Sequence, residues 1–312
     1  MHTANSASGR DYEDTYKNKW LTPARKQALA PYFLMTPAFL VLAVILIYPA
    51  LDNIYLSIWK WRLTTPHLAE IVWFDNYKKL LLFDPDFWEV TRFSIGFTIV
   101  TILLEFVLGL GSALLLYGLV RGRRLMTSFL LTPYMVAPIA VGLGWRMMWD
   151  RDIGIVNFLI GLIGIAKVNW LAETGPAFWA IVLSEVWRST PFVTMILLAG
   201  LTALPNDVFE AAHVDGANRW QVFKRITFPL ILPPLVVSLM FQTIFKLRVF
   251  DIPYILTEGG PGTSTMPYGL LIQRTYFRYF DVGLAAATSV VLLFLGAFIA
   301  YFYLKLVRDR EN

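Results

Sequence analysis

Long apolar runs recur along this chain, and they decide what it can fold into. Two of them are FLMTPAFLVLAVILIYPALDNIYLSI at residues 33–58 and the run over 283–306. A helix needs about 20 consecutive apolar residues to cross the hydrocarbon core of a bilayer. Only 16% of the residues are charged, whereas ordinary soluble domains carry about 25%. The sequence therefore predicts an all-α polytopic protein in contact with membrane lipid.

Six transmembrane helices are predicted, preceded by a cytoplasmic N-terminal tail at 1–30 that contains a short interfacial helix. Residues 31–310 are predicted to form one transmembrane domain. The predicted spans are residues 33–58, 93–119, 125–149, 178–201, 229–250 and 283–306.

The orientation follows from the basic residues. Arg121, Arg123 and Arg124 form a short basic loop after the second span, and the C-terminal tail is basic too. Positive charge in short loops marks the cytoplasmic side. Six spans place both termini on that same side, so both are predicted to be cytoplasmic.

The remaining composition excludes several classes of function. A net charge of +5 would suggest nucleic acid for a soluble chain, but here the basic residues flank spans and no nucleic-acid partner is predicted. The chain has no cysteine, and so neither a thiolate metal site nor a thiol nucleophile. No GxxxxGK[ST] pattern occurs, so this chain is not expected to bind nucleotide. We predict no catalytic residue, no metal ligand and no enzymatic activity.

The long polar segment between residues 204 and 234 interrupts the apolar second half of the chain. Asp207 and Glu210 have the spacing of a capping box, which predicts a helix that begins at Val208. Gly216 can adopt a left-handed conformation and is expected to end that helix.

A second helix is predicted directly after the first. Asn218 and Gln221 repeat the capping-box spacing, so this helix should begin near Arg219 and lead toward Pro229. The whole segment is therefore predicted to be a helix, a bend and a second helix.

These residues resemble the "EAA" loop of ABC importer permeases. In that family the loop, here residues 205–228, is a cytoplasmic coupling helix that docks on the ATP-hydrolysing subunit. The resemblance implies coupling to the ATPase through Glu210, Ala211, Ala212, Asp215, Gly216 and Ala217. An ordinary cytoplasmic helix-turn-helix between two spans is the alternative.

Two further stretches resemble sugar permeases of the maltose-permease type. TEGGPGTST at 257–265 is similar to their T-x-G-G-P segment, and FDNYKKLL at 74–81 is similar to the stretch before their second span. The resemblance implies import of a sugar or oligosaccharide. A tight turn in an outer loop is the simpler interpretation of the first motif.

The family resemblance also implies partners and a location. It implies a heterodimer with a second permease, two ABC ATPase subunits that use ATP and Mg, and an extracytoplasmic solute-binding protein. The complex would lie in the cytoplasmic membrane of a bacterium or archaeon. This chain would bind no cofactor itself and would form half of the translocation pathway.

For the solute path, polar and aromatic residues at mid-membrane depth are the candidates, because sugars need hydrogen bonds and flat apolar faces. We predict Tyr134, Trp187, Gln242 and Thr243, with packing as the alternative role for each. Glu105 is also expected at mid-membrane depth, where it serves either the path or helix packing.

The alternatives concern substrate and class. An importer for a polyol, an oligopeptide or a glycerol phosphodiester remains open, since Lys246 and Arg248 would suit a phosphate. In another class, an ion-coupled secondary transporter would use Glu105 and Glu185 in a carboxylate relay. A membrane scaffold without transport activity is the third alternative.

Overall fold

The computed structural model describes residues 23–119 and 121–311, and it confirms the all-α fold class. The contacts divide the chain into two compact units, Met1–Asn53 and Ile54–Asn312. The described part of the first unit is helical from Pro23, without a separate interfacial helix before the span. Most of the predicted tail, residues 1–22, lies outside the described residues.

The helices follow one another with short connections. In the N-terminal region they are α1 (Pro23–Leu42), a π-helical turn (Ala43–Ile47) and α2 (Tyr48–Ser57). The next helices are α3 (Asp75–Lys78), α4 (Pro85–Gly118), α5 (Arg123–Met135), α6 (Pro138–Met148), α7 (Ile155–Leu162) and α8 (Thr174–Thr202). The last are α9 (Asn206–Val214), α10 (Arg219–Val222), α11 (Phe228–Leu230), α12 (Leu232–Leu247), α13 (Asp251–Thr257), α14 (Tyr268–Phe277) and α15 (Val282–Glu311).

By length and composition, four helical segments of the described chain can cross a membrane unaided. They are Leu34–Ser57, Pro85–Gly118, Thr174–Thr202 and Val282–Lys305. Two bent helix pairs bring the number to six if each pair is one span. The predicted third and fifth spans are these bent pairs.

The first bend separates α5 from α6 by 91°. Pro138 is the first residue of α6, and Val136 and Ala137 before it are extended, with ψ of 140° and 133°. A proline ring clashes with helical geometry in the residue before it, so the helix stops there. This break divides the predicted third span into α5 and α6.

The second bend, of 61°, lies at the start of α12. Pro233 and Pro234 occupy the first turn of α12, where a missing N–H is tolerated but the preceding helix cannot continue. Before this bend, a π-helical turn over Phe223–Thr227 leads into α11.

The core of the second unit forms where α4 packs against α8. Gly109 on α4 lies so close to α8 that a Cβ there would be 2.7 Å from Val193 Cγ1. Small residues allow helix backbones to approach closely in membranes. Ala113, Leu197 and Leu201 are fully buried around this contact.

A short hairpin of β1 (Trp59–Lys60) and β2 (Glu70–Ile71) attaches to the start of α15. Val282 donates its backbone N–H to the Trp61 carbonyl at 2.9 Å. A Cβ at Gly283 would come within 1.8 Å of the Trp59 carbonyl oxygen, so only glycine fits there.

An aspartate side chain caps the start of α4, whereas no side chain caps the start of α3. The N-cap of α4 is Asp84, whose Oδ1 accepts the N–H of Asp86 and Phe87, and not Asp86 itself. Pro85 at the first helical position sets this earlier start. Asp75 lies inside α3 and gives its N-terminus no side-chain cap.

Between α6 and α7, the Asp150 carboxylate closes a turn. It accepts the backbone N–H groups of Ile153 and Asp152, and these bonds hold the pKa of Asp150 below its ordinary value. The short helix α7, Ile155–Leu162, follows this turn.

Candidate functional site

The segment from α9 to α11 connects α8 to α12 and contains the residues that resemble the coupling loop. Helix α9 begins at Asn206, two residues before the predicted Val208. Pro205 precedes the helix, and neither Asp207 nor another side chain caps it. The predicted Asp207 cap is therefore wrong, because Pro205, two residues before Asp207, is already the N-cap residue, with φ of −64° and ψ of 132°.

The bend and the second helix are confirmed. Gly216 has φ of +72°, a left-handed conformation that favours glycine. Asn218 and Gln221 form a complete capping box, with the Asn218 side chain accepting from Gln221 N at 2.9 Å. The Gln221 side chain accepts in return from Asn218 N at 2.8 Å.

The six predicted coupling residues differ in exposure. Glu210, Ala211, Asp215 and Gly216 are exposed, Ala217 is half-buried, and Ala212 is buried within the subunit. Two apolar side chains stand beside the exposed ones, namely Val214 at 87% exposure and Trp220 at 68%. The segment therefore presents acidic, small and large apolar groups on one short stretch of surface.

At the centre of the bundle, charged side chains from three helices meet. Lys246 Nζ on α12 lies 2.6 Å from Glu185 Oε1 on α8 and 2.9 Å from Glu105 Oε1 on α4. It also donates to Ser189 Oγ at 2.8 Å. Arg188 binds both oxygens of Glu185 through Nε and Nη2, at 3.1 and 2.6 Å. Glu185 and Arg188 are three residues apart and share one face of α8.

Burial makes this ionic cluster rigid. The side chains of Lys246, Glu105 and Glu185 are each about 1% exposed, whereas Arg188 is 18% exposed. Glu105 contacts the Lys246 ammonium without hydrogen-bond geometry, and its oxygens have no other described partner. A buried charge without partners is costly, so each member holds the others in place.

Tyr134 and Trp187 lie on an exposed aromatic surface of α5, α6, α8 and α12. Tyr134 contacts Phe192 at a ring-centroid distance of 5.6 Å, and Trp187 contacts Trp145 at 5.8 Å. Their exposed fractions are 38% and 48%. Arg188 is the partly exposed member of the ionic cluster, and it directly follows Trp187 on α8.

The other two predicted path residues are buried among helices. The Gln242 side chain donates to the Ser189 carbonyl at 3.3 Å, which places it beside the ionic cluster. Thr243 donates to the Leu239 carbonyl and shares a hydrogen bond with the Tyr303 hydroxyl. The structure therefore separates the four residues into an exposed aromatic pair and a buried polar pair.

The joint role of Lys246 with the two glutamates was not predicted from the sequence. Lys246 was interpreted as a possible phosphate ligand near the end of α12, whereas both carboxylates surround its ammonium. The available signal was charge: one cation and two anions lie inside apolar runs, and such groups pair with one another in a bilayer.

Comparison with known proteins now identifies the family. The model of the family "binding-protein-dependent transport system inner membrane component" matches residues 105–311. This chain belongs to that family. It is an inner-membrane permease of the ABC importer type, as the resemblance of the segment from α9 to α11 implied.

Curated relatives align with this permease over most of its length. The trehalose/maltose transport system permease protein MalF of Thermococcus litoralis is 37% identical over 92% of this chain and 96% of its own. The sulfoquinovosyl glycerol transport system permease protein SmoG of Agrobacterium fabrum is 34% identical over 91% and 92%. The trehalose transport system permease protein SugA of Mycobacterium tuberculosis is 32% identical over 88% and 87%.

A solved structure has the same fold. A chain of a bacterial ABC transporter involved in the import of the acidic polysaccharide alginate superposes with a TM-score of 0.78. The match covers 91% of this permease and 96% of that chain, at 21% identity. This chain therefore shares the helical fold of that transporter chain, with four spanning helices among the described residues and up to six if each bent pair is one span.

Proposed function

We propose that this permease forms half of the translocation pathway of an ATP-driven importer for a sugar or oligosaccharide. The second half is another permease, and two ABC ATPase subunits bind ATP and Mg on the cytoplasmic side. An extracytoplasmic solute-binding protein delivers the solute. The chain itself holds no nucleotide, and both of its termini are cytoplasmic.

The exposed surface of the segment from α9 to α10 carries this proposal. Glu210 and Asp215 present carboxylates, Ala211 lets another surface approach closely, and Trp220 offers a large apolar contact. Exposed aromatic side chains, Trp above all, are enriched at protein interfaces and often dominate their binding energy. The left-handed Gly216 sets the angle at which this surface leaves the bundle. Docking of an ATPase here would transmit its closure to α8 and α12.

For the solute path, the aromatic surface with Tyr134 and Trp187 is the favoured lining. Aromatic rings offer the flat apolar faces that sugars require, and Arg188 supplies a donor beside them. Gln242 and Thr243 support this surface from behind, through Ser189 and Tyr303. The path would open on one side of the ionic cluster.

The substrate class rests on relatives and on charge. Similar permeases belong to transport systems named for trehalose, maltose and sulfoquinovosyl glycerol. A phosphodiester would need basic groups in the path, but the Lys246 ammonium is already surrounded by Glu105, Glu185 and Ser189. The guanidinium of Arg188 beside the path is likewise paired, with both oxygens of Glu185, so a neutral sugar fits better than a phosphorylated solute.

The test uses the assembled importer in lipid nanodiscs. Glu210→Ala should lower solute-stimulated ATP hydrolysis by about tenfold, which corresponds to about 1.4 kcal/mol. Glu173→Ala is the matched control, because Glu173 is exposed at the opposite end of α8 and caps nothing. Equal hydrolysis in both variants would remove α9 as the docking element. Uptake that continues without ATP but collapses with the proton gradient would favour an ion-coupled transporter instead.

A further inference from the structure

A polar cavity of about 300 Å³ lies at the end of the bundle opposite α9. It forms where α13, the TEGGP turn and α14 meet. Its polar and aromatic lining consists of Tyr254, Glu258, Gln273, Arg274, Phe277 and Arg278. Neither the coupling surface nor the proposed solute path uses any of these residues.

The wall of this cavity is held rigidly. Glu258 adopts a left-handed conformation with φ of +53°, and Arg274 Nη2 donates to its carbonyl at 2.9 Å. The turn behind it is closed by the hydroxyl pair of Thr257 and Thr265 at 2.8 Å. A surface fixed before contact loses little conformational entropy when a partner binds.

The charge of the cavity favours an anion. Arg274 lies in the last turn of α14, and Arg278 is the C-cap residue directly after it, so the two side chains lie four residues apart on one side of the helix end. Among the described residues, neither arginine is in an ion pair, and Arg274 makes one guanidinium hydrogen bond, to the Glu258 backbone. Glu258 is the one acidic side chain in the lining, so the two arginines leave an excess of positive charge. A guanidinium can bind a carboxylate through two parallel hydrogen bonds.

The shape of the cavity favours a protein side chain over a free sugar. Phe277 is 65% exposed and Tyr254 is 41% exposed, so the rim is open. Small-molecule sites bury about 70–90% of the ligand surface, which this rim does not provide. The tip of an aspartate or glutamate side chain, presented by a larger surface, needs no such enclosure.

We propose that this cavity, lined by Arg274 and Arg278, is a docking socket for an acidic side chain of the solute-binding protein. The identity of the partner rests on the proposed function, because that protein approaches the importer from this side. The rigid TEGGP turn presents the socket, and the two arginines select an acidic patch on the partner. The socket thus contributes to which binding protein the importer accepts.

The experiment titrates purified solute-binding protein onto the assembled importer in nanodiscs and measures ATP hydrolysis. Arg278→Glu should raise the binding-protein concentration for half-maximal stimulation about tenfold, and Arg278→Lys by less. Arg151→Glu is the matched control, an exposed charge reversal in the turn between α6 and α7 outside the cavity. All variants are first matched for assembly and melting temperature.

Salt gives a second measurement. The half-maximal concentration should rise with NaCl in the unchanged importer and respond less in Arg278→Glu, since screening weakens exposed charge pairs. Superimposable titrations of Arg278→Glu and Arg151→Glu would overturn the socket and leave the proposed function intact. If the unchanged importer does not respond to the binding protein, the proposed function fails and the socket fails with it.

Discussion

The ionic cluster inside the bundle and the exposed segment from α9 to α11 contain similar side chains in opposite surroundings. Glu105 and Glu185 are buried and share Lys246. Glu210 and Asp215 are exposed and make no described ion pair. The first pair of carboxylates is committed to partners within the subunit. The second pair remains available to another protein.

Substitutions in the two regions should also differ in how much stability they cost. Removing one partner of a buried ion pair leaves an uncompensated charge and costs about 3–5 kcal/mol. Changes on an exposed surface cost about 0.5 kcal/mol or less in stability. We therefore expect changes in the cluster to act on folding, and changes in the exposed segment to act on coupling.

The largest effect is expected for Lys246→Met. Glu105 and Glu185 would then lie buried without their shared cation, and the permease should lose about 3–5 kcal/mol of stability. The melting temperature of the complex in detergent measures this loss. Adding Glu105→Gln should recover part of it, because one buried charge is then removed. A melting temperature within roughly 2 °C of the unchanged complex would contradict the prediction.

Arg188→Gln should have a smaller effect on stability, about 1.5–3 kcal/mol, the range for a hydrogen bond to a charged group. Glu185 keeps Lys246 and Ser189 as partners in this variant. Melting temperatures of Arg188→Gln and Lys246→Met, recorded side by side, provide the check. The prediction fails if Arg188→Gln is the more destabilised of the two.

Gly216→Ala tests the bend between α9 and α10. A left-handed conformation costs a non-glycine residue about 1–2 kcal/mol, so this variant should loosen the segment. Faster amide hydrogen exchange over residues 206–222 would report it. Gly111→Ala is the control, because Gly111 is helical and a Cβ there has no neighbour within 4 Å. Equal exchange in both variants would show that the bend is not strained.

Asn218→Ala should have the smallest effect of the four, about 1 kcal/mol, through loss of the capping box. The effect should be confined to the amides of α10, since Asn218 accepts from Gln221 N there. Hydrogen exchange resolves it, while the global melting temperature should hardly change. A large global shift would mean that α10 supports the bundle and is not a separate surface element.

Local features of the sequence predicted the membrane-spanning helices and much of the segment from α9 to α11. The apolar runs predicted a helical membrane protein, because crossing a bilayer requires length and hydropathy along one segment. Gly216 and the Asn218–Gln221 box predicted the bend and the start of α10, because both depend on neighbouring backbone atoms alone. Asp207 failed as a cap because Pro205 competes for the same helix start.

Tertiary contacts decided the rest. Nothing near Lys246 in sequence indicates that Glu105, on another helix, would lie 2.9 Å from its ammonium. Tyr134 and Trp187 are exposed, whereas Gln242 and Thr243 are buried. This difference likewise depends on which side of each helix faces a neighbouring helix. Periodicity shows that a helix forms, and the packing of α4, α8 and α12 determines which of its charges meet. The sequence alone therefore determined the helical membrane class, the bend at Gly216 and the family, and only the tertiary structure decided the partners of the buried charges.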